Sequence, residues 1–267
     1  MKNTLYSRSE YLTAIRQEKI RIRTVQVVSV ALLLAVWELA AQTGVLDAFI
    51  VSSPVRMVKM FLQMVRGDLA VHILYTVGET LTGFFLGAFT GFFVAAALWF
   101  SPFLNKVCAP FLVVLNSLPK IALGPVIIVW AGAGVSAIIT MAVAISLIVT
   151  VMELSHGFNT TDNGLLTTVK SFGATKWKSF CKIVLPCNLP VFFQSMKVNI
   201  GLSLVGVIAG EFLVSKAGLG YLIVYAGQVF KMDLVMMSVV LLGVIAFVMY
   251  SAVSRMEKAV IRFINHN

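Results

Sequence analysis

Six ionisable side chains fall inside or at the ends of stretches that are otherwise hydrocarbon: Glu38, Glu79, Lys120, Glu153, Lys197 and Glu211. Charge in such a setting is costly, and it is kept where it pairs, lines a polar path or relays protons. Glu38 and Glu153 lie near the ends of their stretches, where a long side chain reaches the interface unaided. Glu79 lies further in and serves either a hydrogen bond between helices or a pathway. Other reactive residue types are spaced in ways that argue against several chemistries. His72, His156 and His266 are scattered, with no second ligand at helical spacing, so no metal site is expected. Cys108, Cys181 and Cys187 make an odd set without metal-like pairing and read as reduced thiols. Serine, histidine and aspartate occur without a nucleophile elbow or a hydrolase order. No Gly-x-x-x-x-Gly-Lys-Ser/Thr phosphate loop occurs in the chain, so any nucleotide is expected on another polypeptide and no cofactor on this one.

The elements that must position these residues are membrane helices. The chain has 267 residues, 59% of them hydrophobic and only 12% charged, against about 25% charged in a soluble domain. About twenty apolar residues cross the bilayer core, and six stretches are read as spans. Residues 1–24 form a polar N-terminal segment with Lys2, Arg8, Arg16, Lys19, Arg21 and Arg23, followed by a transmembrane domain at 25–262. The first span is 25–46. The long charged segment before it, and the lack of an exportable domain after it, argue against a cleaved signal peptide. Ser53-Pro54 then opens a surface helix in which Val58, Phe61, Leu62 and Val65 share a face opposite Arg56, Lys59 and Arg66.

The second span, 72–100, carries Gly78, Gly83, Gly87 and Gly91. These either let another helix approach closely or are simply tolerated in a membrane helix. Residues 101–130 are apolar but contain Pro102, Pro110, Pro119 and Pro125. Interior prolines remove hydrogen bonds and clash with the previous turn. The expectation is a helix to about Leu115, a break at 116–120 and a short span to Trp130. Broken backbone at membrane depth needs protein or water around it, so this segment is expected to face a pathway or a partner subunit. The remaining spans are 135–154, 191–214 and 233–254, with a glycine-rich re-entrant or surface segment before the last.

Six spans place both termini on one side. That side, with the 155–190 loop, holds fourteen basic residues and the other holds five, leaving out Lys120 and Lys197. The richer side is expected to be cytoplasmic. The formal net charge of +10 is then topological, and nucleic-acid binding loses its motivation. The chain reads as a multi-pass protein of the cell membrane with both termini inside.

Within the cytoplasmic loop, residues 165–190 form a lysine-bearing island. Leu165, Val169 and Phe172 fall at i, i+4 and i+7, on one face of a short helix that Asp162 can cap. Gly173 breaks the pattern as a left-handed closing residue does. Trp177, Phe180, Cys181 and Val184 restart it, while Lys170, Lys176, Lys178 and Lys182 stay off the apolar faces. Two short amphipathic helices joined by a glycine elbow, and ended by Leu185-Pro186, are expected.

The same island resembles the cytoplasmic "EAA" loop of ABC-importer permeases. That pattern is Glu-Ala-Ala, three residues, Gly, nine residues, Ile, one residue, Leu-Pro. Gly173, Ile183 and Leu185-Pro186 match it, while Thr167, Thr168 and Val169 stand where Glu-Ala-Ala would. NSLPKIALGP at 116–125 with WAGAG at 130–134 is similar to the third-span signature of the nitrate/sulfonate/taurine-type permeases. Gly210-Glu211-Phe212 with AGLGYL at 217–222 is similar to the segment after their fifth span, and Ser52-Ser53-Pro54 matches near the first. Several motifs in the right order, across roughly residues 50–250, weigh more than any one of them.

The resemblance implies a type I ABC-importer permease fold: an all-α integral membrane protein with about six transmembrane helices. It implies two permease copies forming the pore, as a homodimer or with a related subunit. Two cytosolic ABC ATPase subunits receive the loops, and an extracytoplasmic solute-binding protein delivers the solute. The permease itself does no covalent chemistry, and ATP is used by the partner ATPase. On this resemblance the ATPase-coupling residues are Leu165, Val169, Phe172, Gly173, Ala174, Trp177, Ile183, Leu185 and Pro186. Pro119, Lys120, Pro125 and Glu211, which lie within family-like motifs, become the pathway or interface candidates. The solute is a sulfonate, nitrate, taurine or a pyrimidine-like molecule. A membrane enzyme would need polar catalytic residues at one depth, and a secondary transporter would show a second broken segment echoing the first. The sequence has neither.

Overall fold

The computed structural model describes residues 8–266, with side chains over 13–263. Lys2, and the side chains of Arg8 and His266, lie outside the described residues. The chain starts with α1 (Arg8–Gln42), α2 (Ala48–Val51), α3 (Pro54–Val65) and α4 (Leu69–Phe100). α5 (Pro102–Ser117), a 3-10 turn (Lys120–Leu123) and α6 (Gly124–Ala131) follow. Next come α7 (Val135–Asn159), α8 (Asn163–Ser171), α9 (Lys176–Ser179), a π turn (Phe180–Val184) and α10 (Leu185–Cys187). The chain closes with α11 (Leu189–Val214), α12 (Leu219–Gln228) and α13 (Met232–His266). No strand occurs among the described residues. Five helices are long and apolar enough to cross a membrane, and α5 with the 3-10 turn and α6 makes a sixth, bent by 87°.

The core is built around α7. α4 runs parallel to it, and three glycines of α4 meet three small side chains of α7 in step: Gly83 with Ala142, Gly87 with Ser146, Gly91 with Thr150. A Cβ on Gly83 would stand 2.5 Å from that of Ala142, so the glycine spacing is a contact seam. Gly78 has nothing within 4 Å and takes no part. α11 runs antiparallel along the other side of α7, where a Cβ on Gly206 would stand 2.6 Å from the Ala142 Cα. In hydrocarbon no hydrophobic force drives helices together, so close backbone approach and dispersion do it. Polar links reinforce the seams. Asn199 Nδ2 donates to Thr150 Oγ1, and Lys197 of α11 pairs with Glu257 of α13 at 2.6 Å.

Several element limits, and the packed face of α3, differ from expectation. α1 starts at Arg8 and stops at Gln42, because no Gly or Pro interrupts the polar stretch and Gly44 turns at φ +76°. α13 continues past Ser254, carrying Arg255, Lys258 and Arg262 as one helix with the span. On α3 the Val58 and Leu62 face is exposed, while Met57, Met60 and Met64 pack against the core shared with α12 and α13. Glu38 ties α1 to the start of α3, accepting from Val55 N at 3.0 Å.

Candidate functional site

The elbow forms as its residue types require. Asp162 Oδ1 accepts from Gly164 N at 2.7 Å and starts α8. The end of α8 is closed by two crossing bonds, Ala174 N to Val169 O at 3.0 Å and Gly173 N to Lys170 O at 2.9 Å. Gly173 sits between them at φ +78°, which glycine adopts at no steric cost. Thr175 Oγ1 then accepts from Lys178 N at 3.3 Å and opens α9. The outer surface of this elbow is apolar and open. Phe172 is 85% exposed, Trp177 64%, and Leu165 is exposed beside them. Val169 and Ala174 are half-buried.

The inner side of the elbow is bolted to the bundle. Phe180 and Val184 are buried with Ala95, Leu154 and Phe158, while Ile183 and Leu185 are half-buried and Pro186 is exposed. Trp177 stacks on Phe100, ring centroids 5.7 Å apart at 19°. Lys176 Nζ donates to the Phe100 carbonyl at 2.6 Å, where a cation suits the free carbonyls of a helix end. Leu185-Pro186 does not end the helix, which runs on to Cys187. Pro186 brings no N–H and its ring crowds the turn before it. The ladder there has widened to a π turn, with Leu185 N bonding Phe180 O. The joint lies at buried Asn188, whose Nδ2 donates to Thr161 Oγ1 and Val184 O, each at 2.8 Å.

On the broken segment, Pro119 leads the 3-10 turn and Lys120 Nζ donates to the Asn116 carbonyl at 3.0 Å and to its side-chain oxygen at 3.2 Å. Lys120 thereby satisfies acceptors that the break leaves open. Pro125, in the first turn of α6, lines a groove of about 500 Å³ with Ile121, Val205, Phe212 and Leu213. Glu211 is elsewhere. It is 1% exposed and enclosed within the subunit. Its Oε1 accepts from Thr76 Oγ1 at 2.6 Å and its Oε2 from Gly220 N at 2.5 Å. Thr76 Oγ1 also accepts from Leu219 N at 2.8 Å, and His72 Nδ1 from Gly218 N at 3.0 Å. A Cβ on Gly220 would meet the Glu211 carboxylate oxygen at 2.7 Å. The Gly-x-Gly after the fifth span is thus a cradle for Glu211, with Gly218 at φ +111°.

Lys120 and Glu211 therefore belong to separate settings, one at a helix break and one in a closed cage. Sequence reasoning missed Thr76 and His72 as cage members and Lys176 as a clamp. Thr76 and Glu79 do share a face at i, i+3, but nothing local names a partner on α11.

The comparisons agree with this architecture. The family model described as "Binding-protein-dependent transport system inner membrane component" matches residues 83–265. A probable ABC transporter permease protein of Haemophilus influenzae is 28% identical over 231 residues, 84% of this chain and 91% of that one. The riboflavin transport system permease protein RibX of Chloroflexus aurantiacus is 27% identical, covering 88% of each chain. A putative aliphatic sulfonates transport permease protein of Bacillus subtilis is 25% identical, over 88% of this chain and 86% of its own. In fold, the chain is similar to the MetNI methionine ABC transporter in an inward-facing conformation, with a TM-score of 0.65 at 19% identity over 76% of this chain and 98% of that one. The model's match over most of the chain, on a bundle of apolar helices with one broken span, makes this chain a member of the binding-protein-dependent transport system inner membrane component family, the permease subunits of ABC importers.

Proposed function

We propose that the chain forms half of a solute pathway and is driven by a separate ATPase through the elbow around Gly173. The observation that carries this reading is the elbow itself. Phe172, Leu165 and Trp177 form an exposed apolar knob at the end of the bundle, on a segment that carries Lys170, Lys176, Lys178 and Lys182. The excess of basic residues on that side, these lysines among them, supports a cytoplasmic elbow with both termini on the same side. Two copies of the chain pair as a homodimer, with two ABC ATPase subunits and one extracytoplasmic binding protein. The groove at Pro125 and Phe212, with the exposed broken segment before it, is where the second copy seats.

ATP is bound and hydrolysed by the partner, and this chain holds no cofactor. Closure of the ATPase pair moves the elbow. Trp177 and Lys176 carry that displacement to the end of α4 and the start of α5, and Asn188 carries it to α11. The solute is a small molecule of the sulfonate, nitrate, taurine or pyrimidine-like kind. The test is purification of the tagged chain from its native membrane, followed by identification of what accompanies it and uptake assays with that panel. An accompanying ATPase and uptake that needs ATP support the reading, and an ion-gradient-driven uptake without an ATPase refutes it.

A further inference from the structure

Two carboxyl groups meet at one buried point between α4 and α11. Glu79 is 5% exposed and Glu211 1%. Thr76 and Glu79 stand one turn apart on α4, and Thr76 is bonded directly to Glu211. Glu79 therefore stands on the face of α4 that carries Thr76, the face turned to the Glu211 carboxyl. The two are provided for unequally. Glu211 accepts from the Thr76 hydroxyl and the Gly220 N–H. Neither oxygen of Glu79 receives an N–H or O–H from any described residue. No Lys or Arg pairs with either group, since the ion pairs among the described residues are Arg56–Asp233 and Lys197–Glu257.

Two adjacent carboxylates in a low-dielectric interior repel each other strongly, and a carboxylate without donors is not retained there. A metal cation would need several oxygens turned to a common centre. Here both Glu211 oxygens are already turned to Thr76 and Gly220. A single proton between the two groups resolves the arrangement. We propose that Glu79 is held as the carboxylic acid and donates its proton to Glu211, so that an acid–carboxylate hydrogen bond ties α4 to α11. The pair is a proton-binding site, and it does not depend on the coupling role of the elbow. A groove lined by Tyr75, Glu79, Thr82 and Val135 opens beside it, but neither carboxyl oxygen of Glu79 is exposed in it.

The test is infrared difference spectroscopy of the full-length chain in lipid nanodiscs, with Glu79→Gln and Glu79→Ala. Wild type should show a protonated-carboxyl C=O stretch that shifts in deuterium oxide and is lost in Glu79→Gln. Glu79→Gln, whose amide N–H replaces the acid O–H, should keep the wild-type thermal midpoint, while Glu79→Ala should lower it. Absence of the band in wild type, its persistence in Glu79→Gln, or equal destabilisation by both variants overturns the proposal. Absence of the band together with stabilisation by added sodium, potassium or calcium assigns the site to a metal cation instead.

Discussion

Lys176 Nζ lies 2.6 Å from the carbonyl oxygen of Phe100 and 5.6 Å from the ring centroid of Trp99, at the place where α4 gives way to α5. A single residue, Ser101, separates these two helices. The contact joins the elbow to the joint that leads into the broken segment. Lys176→Met should leave ATPase binding intact and cost at most about 1 kcal/mol of local stability, the scale of a cation at a helix end. Uptake per ATP hydrolysed should fall, and Lys176→Arg should restore it. Loss of ATPase co-purification with Lys176→Met would show that the lysine touches the partner and not the joint.

Gly173 adopts φ +78° with nothing within 4 Å of an added Cβ, so a substitution there meets only backbone strain. Gly173→Val should cost about 1–2 kcal/mol locally and reduce co-purification of the ATPase, while membrane insertion persists. Gly173→Asn, a residue that visits the left-handed region readily, should retain most of the binding. Equal binding by the valine variant and wild type separates this elbow from coupling.

At Gly206 the obstacle is steric. An added Cβ would meet the Ala142 backbone at 2.6 Å, whereas Gly201 and Gly243 have nothing within 4 Å. Gly206→Ala should lower stability by roughly 1–3 kcal/mol through overpacking. Gly201→Ala and Gly243→Ala should be neutral or slightly stabilising. Thermal unfolding in detergent, followed by tryptophan fluorescence, reads the difference.

Lys197 and Glu257 are 13% and 17% exposed at the side chain and 2.6 Å apart. Removing one partner of a fully buried pair costs about 3–5 kcal/mol, because the other charge is stranded. Residual hydration at this pair reduces that figure. Lys197→Met and Glu257→Gln should each destabilise the bundle, and the double variant should recover most of the loss. A purely additive double-mutant cycle would mean the two charges do not support each other.

Orientation is checked with single cysteines at positions 176 and 216, both exposed, after replacing Cys108, Cys181 and Cys187 by serine. In intact cells an impermeant thiol reagent should label position 216 and spare 176. The reverse pattern inverts the topology.

Features set by neighbouring residues were legible in the sequence. The spans follow from hydropathy, the α8 cap from Asp162, and the left-handed closure from Gly173, each within a few residues of its cause. The seam glycines Gly83, Gly87 and Gly91 were legible as a spacing, because close approach leaves a four-residue period; Gly78, five residues before Gly83, is out of step and out of contact. The packed face of α3 was not legible. In a hydrocarbon solvent Val58 and Leu62 gain little by turning inward, so apolar periodicity marks the lipid-facing side as readily as the core. The cage around Glu211 was not legible either, since Thr76 and Glu211 are 135 residues apart and meet only once three helices are assembled. Its two glycines were visible as a motif, but their reason, room for a carboxylate, needed coordinates.

Ala142 is gripped from both sides, by Gly83 of α4 and by Gly206 of α11. Both outer helices come closest to α7 there, so a roll or slide of either brings bulkier residues against it. The degrees of freedom left to the subunit are therefore concentrated at its joints: Ser101, the break at 118–119, Asn188 and the turn at 215–218. Between those joints the three helices act as a stiff beam. Its span is that of α7, whose 25 residues reach about 37 Å at 1.5 Å each. A tilt imposed at one end of such a beam would arrive at the other with its amplitude preserved.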